Sequence, residues 1–107
     1  MKALQAVEKK PAIVDVAAPL RGAGQVRIRV AATGVNRADL LQVAGLYPPP
    51  PGVSDVLGLE CAGEIIEADE GGRWQVGDLV CALLAGGGMA EEVCVDARHV
   101  LPLPPGL

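Results

Sequence analysis

A chain of 107 residues carrying a formal net charge of −4 has room for one domain and lacks the basic surface that binds polyanions, because nucleic-acid affinity comes from clustered Lys and Arg that release counterions. Half of the residues are hydrophobic, yet there is no Phe, one Trp and one Tyr, so Val, Leu, Ile and Ala are expected to fill the core. The 14 Gly and 9 Pro point to short strands joined by tight turns.

From the N-terminus, Met1 to Val7 reads as a strand and Glu8 to Pro11 as a turn. The charges at Glu8, Lys9 and Lys10 interrupt the N-terminal stretch too soon for a signal peptide. Ile13 to Val16 is a second short strand, and Pro19 to Gly24 a loop. Val26, Ile28 and Val30 alternate with Arg27 and Arg29, so Gln25 to Thr33 is the clearest strand, with its arginines facing solvent. Gly34 and Val35 break that pattern. Asn36 to Val43 then reads as a short helix, with Asn36 as N-cap, Asp39 placing a carboxylate near the free N–H groups, and Gly45 as the stop. Leu46 to Asp55 is a loop stiffened by four consecutive prolines, Pro48 to Pro51.

Further strands follow at Cys61 to Glu67, Leu79 to Leu84, Ala90 to Val95 and Val100 to Leu103. Turns at Gly71-Gly72, Val76-Gly77-Asp78 and Gly86-Gly87-Gly88 separate the first three of them. About seven short strands and one short helix predict a mainly β fold, an antiparallel and partly open β-barrel. No apolar run approaches the ~20 residues that cross a bilayer, so no membrane partner is expected. Cys61, Cys81 and Cys94 include no Cys-x-x-Cys pair, which argues against a disulfide framework or a thiolate zinc site. A reducing, cytoplasmic setting is the expectation.

Common catalytic motifs are missing. Gly22-Ala23-Gly24 is the best partial dinucleotide loop, but Arg27 stands where the third glycine belongs and a strand follows where a helix is needed. Gly86-Gly87-Gly88 lacks the Lys-Ser/Thr of a phosphate loop. Ser54 and His99, the one serine and the one histidine, lie in no nucleophile motif. Glu91 and Glu92 are adjacent, so in a strand they point to opposite faces.

The run Gly34-Val35-Asn36-Arg37-Ala38-Asp39-Leu40-Leu41, then Gly45-Leu46-Tyr47-Pro48-Pro49-Pro50-Pro51-Gly52, then Leu57-Gly58-Leu59-Glu60-Cys61-Ala62-Gly63 resembles the N-terminal, GroES-like domain of quinone oxidoreductases. These belong to the medium-chain dehydrogenase/reductase superfamily. Val76-Gly77-Asp78-Leu79-Val80, Leu83 to Gly88 and Leu101 to Leu107 continue the match in order. The zinc alcohol dehydrogenases of that superfamily carry Cys at the position of Asn36 and His at the position of Leu59. Zinc takes thiolate, imidazole or carboxylate ligands, so the resemblance is to the zinc-free branch, with no metal expected.

The resemblance implies hydride transfer from NADPH to a quinone or related electrophilic carbonyl compound, with Asn36 and Tyr47 lining the cleft beside nicotinamide and substrate. An amide N–H and a phenol O–H suit an oxygen that gains charge. Capping a helix is compatible with that role for Asn36, and anchoring the proline loop is the alternative for Tyr47. Glu60 either braces the site or holds a surface or strand-end position, and Cys61 packs as a small buried residue. The resemblance further implies that residues 1–107 are the substrate-side domain, that a Rossmann domain outside this chain holds most of the cofactor, and that a homodimer can form at full length. Two other readings are a zinc-free enoyl or alkenal reductase, and a non-catalytic GroES-like binding module.

Overall fold

A computed structural model describes residues 1–106. The chain opens with a hairpin of β1 (Lys2–Val7) and β2 (Lys10–Asp15). Glu8 and Lys9 form its turn at φ of 52° and 61°. Two left-handed residues match the right-handed twist of the strands, even without glycine. The residue pattern predicts a turn as far as Pro11 and a strand from Ile13. Pro11 instead pairs with Ala6 inside β2. It sits one residue beyond the closing Val7–Lys10 pair, so the N–H it lacks faces the free edge of the hairpin and no ladder bond is lost.

The main sheet contains β3 (Gln25–Thr33), β4 (Glu60–Glu67), β5 (Leu79–Leu83), β6 (Glu92–Asp96) and β7 (Val100–Pro102). It is antiparallel throughout, in the order β6-β3-β4-β5-β7. A helix, α1 (Arg37–Val43), lies between β3 and β4, and a single 3-10 turn at Ala97–His99 precedes β7. The sheet curls into a half-barrel and β1 closes part of the gap. Leu4 N–H donates to the Met89 carbonyl at 2.8 Å, Met89 N–H to Leu57 at 2.8 Å, and Leu57 N–H back to Leu4 at 2.9 Å. The expected mainly β, GroES-like, partly open barrel with one short helix is the observed fold.

Strand alternation sends Val26, Ile28, Cys61, Ile65, Val80, Ala82, Val93, Val95 and Val100 inward. Val and Ile dominate the core as the composition predicts, because β-branched side chains fit a pleated and buried surface, but leucine, also expected there, contributes little. Trp74 joins it from a loop, with its indole N–H on the Ala97 carbonyl at 3.0 Å. The leucines mostly stay outside: Leu20, Leu40, Leu46, Leu79, Leu83 and Leu101 are exposed, while Leu57 is buried. Gly63 is needed where β3 and β4 draw together, since a side-chain carbon there would run into the Arg29 carbonyl. The register between those strands shifts beside it, between Val30 and Ala32.

On the outer face Arg27 bridges Glu67 at 2.8 Å and Glu92 at 3.3 Å, while Arg21 binds Asp69 at 2.6 Å. Arg27 is therefore half-buried and paired, rather than free in solvent as the strand pattern alone suggests. The Arg27 hydrogen bond holds the Glu67 carboxyl below its ordinary value, and Arg21 does the same for Asp69.

Two measurements check this account. Ile65 is fully buried, so Ile65→Ala should cost about 2–5 kcal/mol in urea unfolding. The lowered carboxyl values mean that stability from these pairs is fully present above the ordinary values, 4.5 for Glu67 and 3.8 for Asp69. It is lost as pH falls through the lowered, folded-state values. The melting temperature of the wild type should fall on acidification below that range, and Arg27→Met should fall less steeply over the same interval.

Candidate functional site

The wall from Asn36 to Glu60 is built from a helix start, a proline loop and a strand start. Asn36 is the N-cap of α1, in extended backbone at φ −119° and ψ 162°. It faces Asp39 in a capping-box arrangement, and the firm arm of that box is the one Asp39 makes. Asp39 Oδ2 accepts the Asn36 backbone N–H at 2.8 Å. Asp39 Oδ1 accepts the Gly58 N–H at 3.1 Å. The carboxylate is 2% exposed and is the only buried charged side chain among the described residues. A buried charge persists only where hydrogen bonds replace its water, and two backbone donors do so here.

At the other end of α1, Leu46 N–H donates to Leu41 at 2.8 Å and Gly45 takes φ +79°, the glycine stop that the sequence predicts. The proline loop follows, tethered by the Gln42 side-chain amide to the Asp55 carbonyl at 3.4 Å. Tyr47 stands on this loop, 43% exposed. Its hydroxyl makes no hydrogen bond within the described residues, so the phenol is available to a ligand.

The third part of the wall is set by close backbone approach. Gly58 has φ +111°, and a side-chain carbon there would meet the Met89 nitrogen at 2.5 Å. Gly88 donates its N–H to the Gly58 carbonyl at 3.1 Å, and its own Cβ position lies 2.8 Å from the Glu60 carbonyl. Only glycine fits at either place. The Gly86-Gly87-Gly88 run, which reads as a turn in the sequence, therefore also presses one segment against another. The Glu60 carboxylate lies over Gly34, where any side chain would displace it. Thr33 Oγ donates to the Glu60 carbonyl at 2.8 Å.

Beside this wall a groove of about 430 Å³ passes Gly34 and Glu60 and runs onto the outer face of the sheet. Ala32, Ala62, Cys81 and Leu101 lie side by side across β3, β4, β5 and β7 and form its floor. Asn36 and Tyr47 are not among the residues that line it. Sequence reasoning misses this groove. Its signal is an apolar residue at each outward position of neighbouring strands, which becomes visible only once the register is known. A separate cleft of about 480 Å³ is lined by Ser54 and His99 among others. Ser54 Oγ there accepts the Val56 N–H at 3.1 Å, a turn-forming role.

The donors at the wall do not fit zinc. Asn36 offers an amide and Leu59 offers nothing. Cys61 points into the core, its thiol pushed up to about 11 chiefly by burial and further by Cys81. No group of three His, Cys, Asp or Glu that could hold a metal ion occurs among the described residues.

Residues 22–105 match the alcohol dehydrogenase GroES-like domain family. A probable oxidoreductase from Mycobacterium abscessus is 37% identical, with a TM-score of 0.86 over 98% of this chain and 35% of its own. The quinone oxidoreductase of Thermus thermophilus, solved with NADPH, is 34% identical, with a TM-score of 0.76 over 100% of this chain and 34% of its own. The CurK enoyl reductase is 28% identical, with a TM-score of 0.83 over 99% of this chain and 36% of its own. The chain thus spans about a third of the length of these solved relatives. It spans 24% or less of the curated relatives compared with it. With its half-barrel, its single helix and the family match over most of its length, the chain belongs to the alcohol dehydrogenase GroES-like domain family of medium-chain oxidoreductases.

Proposed function

We propose that residues 1–107 form the substrate-side wall of an NADPH-dependent quinone oxidoreductase that works without zinc. The observation that carries this reading is the donor set: a half-buried amide at Asn36 and an exposed phenol at Tyr47 are hydrogen-bond donors, and the Leu59 position offers no metal ligand. Likeness to the Thermus thermophilus quinone oxidoreductase over the whole chain supports the choice of acceptor and cofactor.

Reduced nicotinamide, when bound, supplies the hydride. This chain's residues act on the acceptor. Asn36 Nδ2–H and the Tyr47 O–H donate to the quinone oxygen that gains charge, which stabilises the transition state more than the ground state. Quinones are already electrophilic, so two neutral donors suffice without a Lewis acid. The apolar groove beside Gly34 offers surface for an uncharged ring. The match to 34% of the Thermus thermophilus enzyme, solved with NADPH, supports a cofactor-phosphate site supplied by a partner domain rather than by these residues.

A second reading, reduction of an enoyl or alkenal carbon–carbon double bond, draws support from the likeness to the CurK enoyl reductase. The same two donors then serve the enolate oxygen that forms when hydride adds to the β-carbon.

The test joins residues 1–107 to an NADPH-binding domain and follows NADPH oxidation with quinones and enones side by side. Faster turnover of quinones supports the first reading and faster turnover of enones the second. No acceptor-dependent oxidation of either class contradicts both and favours a non-catalytic module. Tyr47→Phe should lower kcat/KM about tenfold, the worth of one neutral hydrogen bond. Unchanged kinetics would remove Tyr47 from the site.

A further inference from the structure

A carboxylate that only supports a helix start does so best in water. Near the surface it gains from the positive end of the helix at little cost in desolvation. Asp39 is instead 2% exposed. It also uses its second oxygen outside the helix, on an N–H group 19 residues along the chain. Burial of an ion costs several kcal/mol before its partners repay it, so the second bond calls for an explanation that capping does not give.

Gly58 supplies one. Its conformation is held from three sides. Its φ of +111° is one that side chains rarely adopt, and an added side-chain carbon would strike the Gly88–Met89 backbone, so two main-chain segments pass in close approach here. Its carbonyl accepts the Gly88 N–H, and its neighbour Leu57 sits in the three-way ladder with Leu4 and Met89. The Gly58 N–H is therefore a fixed point of the barrel. From it the connection runs through Asp39 Oδ1, the carboxyl carbon and Oδ2 to the Asn36 N–H. Asn36 otherwise begins a seven-residue helix, which is too short to be stable by itself.

We propose that Asp39 is the positioning residue of this site, its carboxylate fixing the Asn36 backbone against Gly58 and so setting where the Asn36 side-chain amide stands on the wall. This rests on the functional reading given for Asn36 and deepens it. Asp39 touches neither acceptor nor cofactor; it acts through Asn36. Neither close analogue can replace it. Asn has one acceptor oxygen, and its NH2 group would face a backbone N–H. Glu carries the same two oxygens on a stem one methylene longer, which does not fit a closed space.

The direct measurement is through-hydrogen-bond scalar coupling in the labelled 107-residue wild type. Both the Asn36 and the Gly58 amide nitrogens should couple to the Asp39 carboxyl carbon. A coupling from Asn36 with none from Gly58 would reduce Asp39 to a helix cap and overturn the proposal. In Asp39→Asn, amide exchange at Asn36 or Gly58 should accelerate at least tenfold, while the Ile28 and Val80 amides keep their rates. Equal acceleration at all four, or no change at either of the first two, would overturn the proposal.

With residues 1–107 joined to an NADPH-binding domain, Asp39→Asn should lower kcat at least tenfold and leave the KM for NADPH unchanged, and Asp39→Glu should not restore it. A loss confined to KM, or full rescue by Glu, would overturn the positioning role. If the wild type itself turns over neither quinone nor enone, the functional reading fails, and the coupling and exchange results still decide whether Asp39 bridges the two segments.

Discussion

The bond from Gly58 N–H to the Asp39 carboxylate is the constraint on which the site depends. Among the described residues it is the one place where the helix between β3 and β4 is tied to the barrel by a buried charge. Everything on the barrel side of that bond is backbone meeting backbone. Gly58 and Gly88 lie closer than any side chain allows, and Leu4, Leu57 and Met89 exchange hydrogen bonds around one small ring. On the helix side the buried link is one side chain, Asp39, with the Gln42 amide giving a second and exposed tie to the Asp55 carbonyl. Such a design is stiff where main chains touch and relies on side chains where they do not.

Much of the fold was legible in the sequence because the strands follow simple rules. Val26, Ile28 and Val30 alternate with arginines, and β3 runs over the expected residues. The glycine stop at Gly45 and the N-cap at Asn36 both stand where turn and cap chemistry place them. Two features escaped for physical reasons. Pro11 reads as a turn residue, but on a free edge its missing N–H is harmless, so it stays in β2. Trp74 lies in a stretch with no strand period, and only tertiary packing brings it into the core.

The site was less legible than the fold. Asp39 was visible as a helix-start carboxylate, since its first partner, Asn36, is three residues away. Its second partner, Gly58, is not local, and nothing in the spacing announces that bond. The same holds for the carboxylate of Glu60 over Gly34 and for the apolar groove, both of which need β3 and β4 in register before they exist. Residue chemistry was more informative where it excludes than where it assigns. Asn36 and Leu59 argue against zinc from their side chains alone.

Taken together, the wall combines an N-cap asparagine whose backbone N–H bonds a buried carboxylate, an exposed phenol on a proline loop, and a neighbouring groove of small apolar residues. This suits an uncharged, electron-poor acceptor whose oxygen needs hydrogen bonds more than it needs a cation. The most direct measurement is the rate of NADPH oxidation with a quinone after exhaustive chelation, using residues 1–107 joined to an NADPH-binding domain. The account predicts the same rate with and without the chelator; a rate that vanishes on chelation and returns with zinc would contradict it.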